Sequence, residues 1–394
     1  MINSENLRIA EYRKEIFKCT RCGYCREMIR ERDHTFRICP IRENTAGFEA
    51  YTSKGKMMLM RGILEGELEF TPKLAEIFFQ CSTCGNCRVH CPVDIATTEI
   101  FEEFRCDLVN RELSLPQHIL MGQKTIKEKN PYGESQQDRI LWLKDLIELG
   151  REAPIAYFVG CTSSFRQKEI AQATYEILKK AGVDFTLLGP EEWCCGSPLF
   201  RTGQVEIAKT MAQHNIDKLN ELNVKTIYFS CAGCFRTFQT DYPKYFGKLE
   251  FKIESISNLI LSLIKEGKLE FVDHPQIDLT YHDPCHTSKM TKKPDYMTPR
   301  KLINVLPGIN LIEMRSTQKG SICCGAGGGL KGGYPDLAVK IAGTRIEQAL
   351  PLNVKYLVST CPFCKRNLSD AQQANKYPIE ILDLTELIAK RLKK

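Results

Sequence analysis

Apolar residues along this chain follow two regimes. Up to about residue 150 they recur at helical intervals, and beyond it short continuous apolar runs alternate with helical stretches. Residues 53–68 carry Met57, Leu59, Met60, Ile63 and Leu64 at helical spacing and end on Gly66, which predicts a helix packing a methionine stripe into a core. Lys54, Lys56 and Arg61 read as the solvated side of that helix. A helical pattern over 100–113 is followed by breaks at Pro116 and at Asn130-Pro131-Tyr132-Gly133. Residues 139–149, with Ile140, Leu141, Leu143, Leu146 and Ile147, predict an amphipathic helix docked on a neighbour, with Trp142 as its anchor.

The second regime reads as strand, helix, strand. An apolar run at 155–159 precedes a helix at 168–181 and a strand at 184–188; a helix at 204–222 and a strand at 226–230 follow. The order then repeats, with a strand reaching His282, a helix near 300–305, a strand near Leu311, a helix at 338–350 and a strand at 356–359. Strands and helices alternating at these lengths predict parallel sheets covered by helices. The expected domains are residues 1–110, a helical connector over 111–153, and two α/β units over 154–272 and 273–394.

Composition alters this picture through one residue type. With 394 residues and 43% hydrophobic content the chain can bury two or three cores, and a net charge of +7 without a basic block excludes a nucleic-acid partner. No apolar run spans a bilayer and residues 1–13 are polar, so the expected location is cytoplasmic, or peripheral on a membrane through a partner. Nineteen cysteines in tight clusters, with no secretion signal, point to metal ligands and not disulfides.

Cys81-x2-Cys84-x2-Cys87-x3-Cys91-Pro92 is the run that holds a cubane [4Fe-4S] cluster in two-cluster ferredoxins, its fourth cysteine serving the other cluster. A zinc site calls for four ligands in paired spacing. Cys19-x2-Cys22-x2-Cys25 repeats the triple, but Cys39-Pro40 comes after thirteen residues, so an insertion over 26–38 lengthens the connection. Crossed ligation pairs Cys19, Cys22 and Cys25 with Cys91, and Cys81, Cys84 and Cys87 with Cys39. Cys106, set in a helical pattern, is the spare thiol and reads as a packed core cysteine.

In the α/β half, Cys161, Cys194-Cys195-Gly196 and Cys231-x2-Cys234 recur as Cys285, Cys323-Cys324-Gly325 and Cys361-x2-Cys364. Cys161, Cys231, Cys285 and Cys361 fall at the carboxyl ends of predicted strands, where open α/β sheets bind ligands. The two Cys-x2-Cys pairs open helices, whose N-termini favour thiolates. Five sulfurs per unit exceed what one zinc or one cubane needs, which argues for a polynuclear cluster. Gly325 to Gly329 lacks the Gly-Lys-Ser/Thr ending of a phosphate loop and reads as a flexible wall beside the site. His282 and His286 flank Cys285 and are candidate proton donors to a leaving thiolate, or else are held by backbone; Asp283 reads as a turn residue.

The doubled five-cysteine pattern behind two ferredoxin triples resembles the CCG domains of heterodisulfide reductase, in the arrangement of that enzyme's fused catalytic subunit. It is also similar to iron-sulfur subunits of lactate, glycolate and glycerol-3-phosphate dehydrogenases and of benzoyl-CoA reductase complexes. The resemblance implies a helical ferredoxin-like module with two cubane clusters, then two Rossmann-like α/β CCG domains related by a pseudo-twofold, each holding a noncubane [4Fe-4S] cluster. It also implies an oxidoreductase that splits a disulfide of the CoM-S-S-CoB type, fed by a flavoprotein or a membrane b-type cytochrome. The other function it implies is a non-catalytic electron-transfer subunit of a flavin dehydrogenase or acyl-CoA redox complex. The longer gap before Cys39 departs from the usual pattern of the fused reductase chain.

Overall fold

The computed structural model describes residues 4–31 and 34–393. The first three residues of the polar N-terminus, the tip of the 26–38 insertion and Lys394 lie outside the described residues. The N-terminal part is helical: Ser53–Glu65, Pro72–Phe79 and Thr97–Val109 pack around Met57, Met60, Ile63, Phe78, Phe101 and Phe104. The 53–65 helix begins where Thr52 accepts from the Gly55 amide and ends at Gly66 in a left-handed conformation. Met57 and Met60 are core, as their spacing predicts, while Met58 is exposed. The insertion forms a hairpin, β1 (Glu27–Glu31) and β2 (His34–Arg37), paired antiparallel.

Each α/β unit contains one four-stranded, wholly parallel sheet. The first holds β3 (Ile155–Phe158), β4 (Phe185–Thr186), β5 (Thr226–Phe229) and β6 (Lys252–Ser255) in the order β4-β3-β5-β6. The second holds β7 (Ile277–His282), β8 (Ile309–Leu311), β9 (Tyr356–Ser359) and β10 (Glu380–Asp383) in the order β8-β7-β9-β10. Taken in chain order the two topologies are identical, so the repeated cysteine pattern sits on a repeated fold. Among the described residues no helix is long and apolar enough to cross a membrane.

Two expectations change. Residues 139–149 do not form an amphipathic helix; Gln136–Ile140 is a 3-10 turn, and Leu141, Leu146 and Ile147 remain exposed. The backbone at Leu149 instead extends alongside Leu187 at the sheet edge, while Arg139 is drawn into the interior. Trp142 does serve as an anchor, buried edge-on against Tyr175. The glycine stretch after Cys324 is not a free wall either. At Gly328, with φ of +65°, an added Cβ would lie 2.7 Å from the Cys81 carbonyl oxygen and 2.5 Å from the Ser82 carbonyl carbon. Only glycine lets the 81–84 loop of the N-terminal module seat so closely on the second unit.

Candidate functional site

In the N-terminal module, Cys19, Cys22, Cys25, Cys87 and Cys91 line one small cavity together with Met57 and Lys54. The Lys54 amide donates to Cys25 Sγ at 3.3 Å, and burial pushes the Cys25 thiol up to about 11. Cys39 caps the helix Pro40–Asn44 and faces Cys81 and Lys56. Cys87 borders both groups, its sulfur 3.0 Å from Thr97 Oγ1. Cys106 does not join them; it is buried and bonded to the Glu102 carbonyl, and burial raises its thiol to about 12.

Lys56 departs from its expected role. It is 1% exposed, donates to the Tyr51 carbonyl at 2.7 Å and has no carboxylate partner among the described residues. Burial lowers its pKa, and the sulfurs of Cys81, Cys39 and Cys87 oppose that shift. A buried ammonium needs a counter-ion, and here only thiolates can supply one. The sequence did hold the signal: Lys56 occupies the same helical face as Met60 and Ile63.

In the α/β units the four strand-end cysteines stand after the two central strands of each sheet. Cys161 and Cys285 open the short helices Cys161–Phe165 and Cys285–Ser288 after β3 and β7. Cys231 and Cys361 cap Ala232–Arg236 and Pro362–Asn375 after β5 and β9. The strand order reverses between these central strands, which is where open parallel sheets take their ligands.

Their sulfurs form two strings. In the first unit Cys161 touches Cys194, Cys194 touches Cys195, Cys195 touches Cys234, and Cys234 touches Cys231. In the second unit the string runs Cys285, Cys323, Cys324, Cys364, Cys361, with 3.2 Å between the Cys324 and Cys364 sulfurs. The strings join where Cys231 meets Cys361. Cys84 does not turn towards its own triple; it packs against Cys285 and Cys323 of the second unit. Sharing protons along the strings holds Cys195 down to about 6, through Cys194 and Cys234, and pushes Cys234 up.

Buried cations accompany the sulfurs. Arg139 Nη2 lies 3.3 Å from Cys161 Sγ while Nη1 pairs with Glu192 at 2.7 Å. Lys289 Nζ lies 3.8 Å from Cys285 Sγ and donates to the Ser321 carbonyl, with no carboxylate partner among the described residues. Arg345 Nε donates to His282 Nδ1 at 3.2 Å, which assigns the proton to Nε2, next to Cys324. The ligand atoms of His282, Cys324 and Cys364 lie within 4.8 Å of one another. Burial holds the His282 imidazole below its usual pKa, so the ring is neutral, and its buried Nε2 has no hydrogen-bond partner among the described residues.

His286 is likewise kept neutral by burial and by Arg236 and Arg201. Its Nε2 lies 3.5 Å from Arg236 Nη1. Its Nδ1 and Cys231 Sγ lie 3.6 and 3.7 Å from the space a Gly233 Cβ would fill, which sets the ring beside the seam between the strings. Asp283 is more than a turn residue: it is buried and accepts both terminal nitrogens of Arg300 and the Gln318 amide.

These residues fit iron-sulfur clusters. Thiols dominate the donor set, all nineteen cysteines are free, and Lys56 and Lys289 are buried cations whose counter-charge only a cluster or thiolates can provide. One consequence is measurable. Lys56→Met removes a positive charge beside Cys39, Cys81 and Cys87, which disfavours the more negative reduced state. The midpoint potential of an iron-sulfur centre at these sulfurs should fall by on the order of 50 mV, read by EPR-monitored redox titration.

Comparison with known proteins points the same way. A 4Fe-4S dicluster domain matches residues 15–95, and a cysteine-rich domain matches residues 155–239 and again 279–369. The chain is 36% identical to a subunit of the dihydromethanophenazine:CoB–CoM heterodisulfide reductase of Methanosarcina barkeri, over 99% of this chain and 97% of that one. It is 30% identical to a subunit of the fumarate reductase (CoM/CoB) of Methanothermobacter marburgensis, over 79% of this chain and 61% of that protein. It is 29% identical to EtfAB:quinone oxidoreductase of Syntrophomonas wolfei, over 81% of this chain and 47% of that protein.

Proposed function

The chain belongs to the heterodisulfide reductase family of iron-sulfur proteins that join a 4Fe-4S dicluster domain to two cysteine-rich domains, and from that membership we propose that it is the catalytic subunit of a disulfide reductase. Its substrate is a disulfide of the CoM-S-S-CoB type, and its electrons come from a flavoprotein or a membrane b-type cytochrome. The observation that carries this reading is the meeting of Cys231 and Cys361, which makes the two five-sulfur sets one composite site across the units.

On this reading Cys19, Cys22, Cys25 and Cys91 hold one cubane cluster, and Cys39, Cys81 and Cys87 the other, which Cys84 completes by turning back from Cys285 and Cys323. Cys161, Cys194, Cys195, Cys231 and Cys234 hold one noncubane cluster, and Cys285, Cys323, Cys324, Cys361 and Cys364 its pseudo-twofold mate, within the domains 1–110, 111–153, 154–272 and 273–394. The clusters, when bound, supply one-electron transfer and open iron for a thiolate. The reaction consumes two electrons and two protons and yields two thiols from one disulfide bond. Beside the seam His286 touches Arg236, which with Glu102 helps to line a cavity of about 290 Å³. There the His286 ring relays a proton from Nδ1–H and recovers one at Nε2, and His282 offers its Nε2–H to a sulfur. The chain then works in the cytoplasm, or at a membrane through its partner.

Thiol addition tests this reading. Coenzyme M added to the oxidised protein should perturb an EPR signal of the cysteine-rich units and leave the N-terminal cubane signals unchanged; identical spectra with and without thiol count against a substrate site. The similarity to EtfAB:quinone oxidoreductase supports a second reading, an iron-sulfur chain that carries electrons without making bonds. Copurification with a flavin-containing chain and an absent thiol response together would favour it.

A further inference from the structure

The two cysteine triples of the N-terminal module share one loop geometry and have opposite surroundings. Around Cys84, Thr83 and Gly85 have φ of +45° and +78°; around Cys22, Arg21 and Gly23 have +59° and +86°. Left-handed residues on both sides place each middle cysteine at the tip of its loop. The tip at Cys84 is covered by the second α/β unit: Cys285 and Cys323 touch its sulfur, and the Met290 sulfur occupies the space that a Gly85 Cβ would need. The tip at Cys22 is bare. Cys22 is the one exposed cysteine of the nineteen, and nothing lies within 4 Å of a Gly23 Cβ.

We infer that the Cys22 loop is the docking port for a separate protein, a one-electron carrier whose redox centre is ringed by carboxylates, seated on Cys22 as the second unit is seated on Cys84. Charge supplies the identity of this occupant. Lys18 and Arg21 are exposed and have no carboxylate partner among the described residues. Beside them Arg26, Arg37, Arg42 and Lys54 share, among the described residues, only Glu27, Glu43 and Glu49. The port is therefore basic, and it attracts and orients an acidic partner. Tyr24 and Phe48, 47% and 68% exposed, border the same ion network through Arg26 and Glu49 and supply apolar contact. A small, charge-steered face suits a transient redox encounter, which occupies the low end of protein interface areas.

The inference rests on redox centres in the N-terminal module and is independent of disulfide chemistry. Its test therefore uses the full-length, cluster-loaded protein without any disulfide. The probe is a reduced acidic plant-type [2Fe-2S] ferredoxin, with stopped-flow absorbance reading electron transfer and calorimetry reading the complex. The wild type should be reduced quickly at low ionic strength and more slowly as salt rises. Lys18→Glu combined with Arg21→Glu should slow transfer by at least about 10-fold and weaken the complex in parallel. Viologen radical, a small dye that needs no docking, should reduce both proteins alike, showing the centres intact. Lys252→Glu with Lys265→Glu, an equal charge reversal on exposed lysines of the first α/β unit, should behave as wild type. Equal ferredoxin rates in wild type and the Lys18/Arg21 variant, including no transfer in either, overturn the port. So does an equal loss in the Lys252/Lys265 control. Failure of disulfide reduction leaves this result untouched.

Discussion

Replacing Cys361 by serine should cut electron transfer from reduced viologen to CoM-S-S-CoB by more than about 100-fold. Groups that merely orient a metal ligand are worth about 10- to 100-fold, and a ligand is worth more. Cys361 is chosen because it is at once the cap of the helix Pro362–Asn375, a member of the second sulfur string and the sulfur that meets Cys231 of the first unit. The N-terminal module is built from other elements and packs around its own core, so its cubane EPR signals should persist in the variant. Cys231→Ser should behave in the same way, because the seam has two sides. Full turnover in either variant would show that the meeting of the strings has no part in the reaction.

Arg105→Leu should be the most damaging change to the assembled chain. Arg105 is wholly buried in the helix Thr97–Val109, and its guanidinium donates to four carbonyls. Nη1 reaches the Arg201 oxygen at 2.6 Å and the Gly328 oxygen at 2.7 Å; Nη2 reaches those of Phe78 at 2.6 Å and Cys81 at 2.5 Å. One side chain thus links the 81–84 loop to both α/β units. Leucine fills much of the volume but leaves these carbonyls without donors, at about 1–3 kcal/mol for each that stays dry. A loss on the order of 4 kcal/mol or more follows, even after some of the carbonyls find water, and the thermal unfolding midpoint should drop by several degrees. Arg105→Lys, which keeps the charge but not the fork, should fall between the two. An unchanged midpoint in the leucine variant would mean that the three parts are held together by their other contacts and not by this fork.

The architecture was largely legible because two periodicities and one residue type carried it. The apolar runs at β3, β5, β7 and β9 marked the central strands, and cysteines directly after them marked the ligand end of each sheet. The edge strands β6 and β10 were not legible. Lys252–Ser255 holds one apolar residue and Glu380–Asp383 two, too few in four positions to mark a strand. Residues 139–149 misled in the opposite sense: their apolar spacing is helical, but pairing of Leu149 with the edge at Leu187 and burial of Arg139 against Cys161 overrode it. The cysteines announced the site, whereas its cations stayed hidden. Arg139, Lys289 and Arg345 look like ordinary surface charges in a sequence, and only the fold turns them inward, onto Cys161, Cys285 and His282, whereas Lys56 shares the helical face of Met60 and Ile63. Cys84 is similar, since spacing assigns it to its own triple and the fold lays it against Cys285.

The central claim is that the composite site between the two units cleaves a disulfide, and its most direct measurement is stoichiometric turnover. The anaerobic, cluster-loaded protein is mixed with viologen radical and CoM-S-S-CoB, while dye bleaching and free thiols are counted together. The account predicts two radicals oxidised and two thiols released for each disulfide consumed. Reduced protein that leaves both the dye and the disulfide unchanged would contradict it.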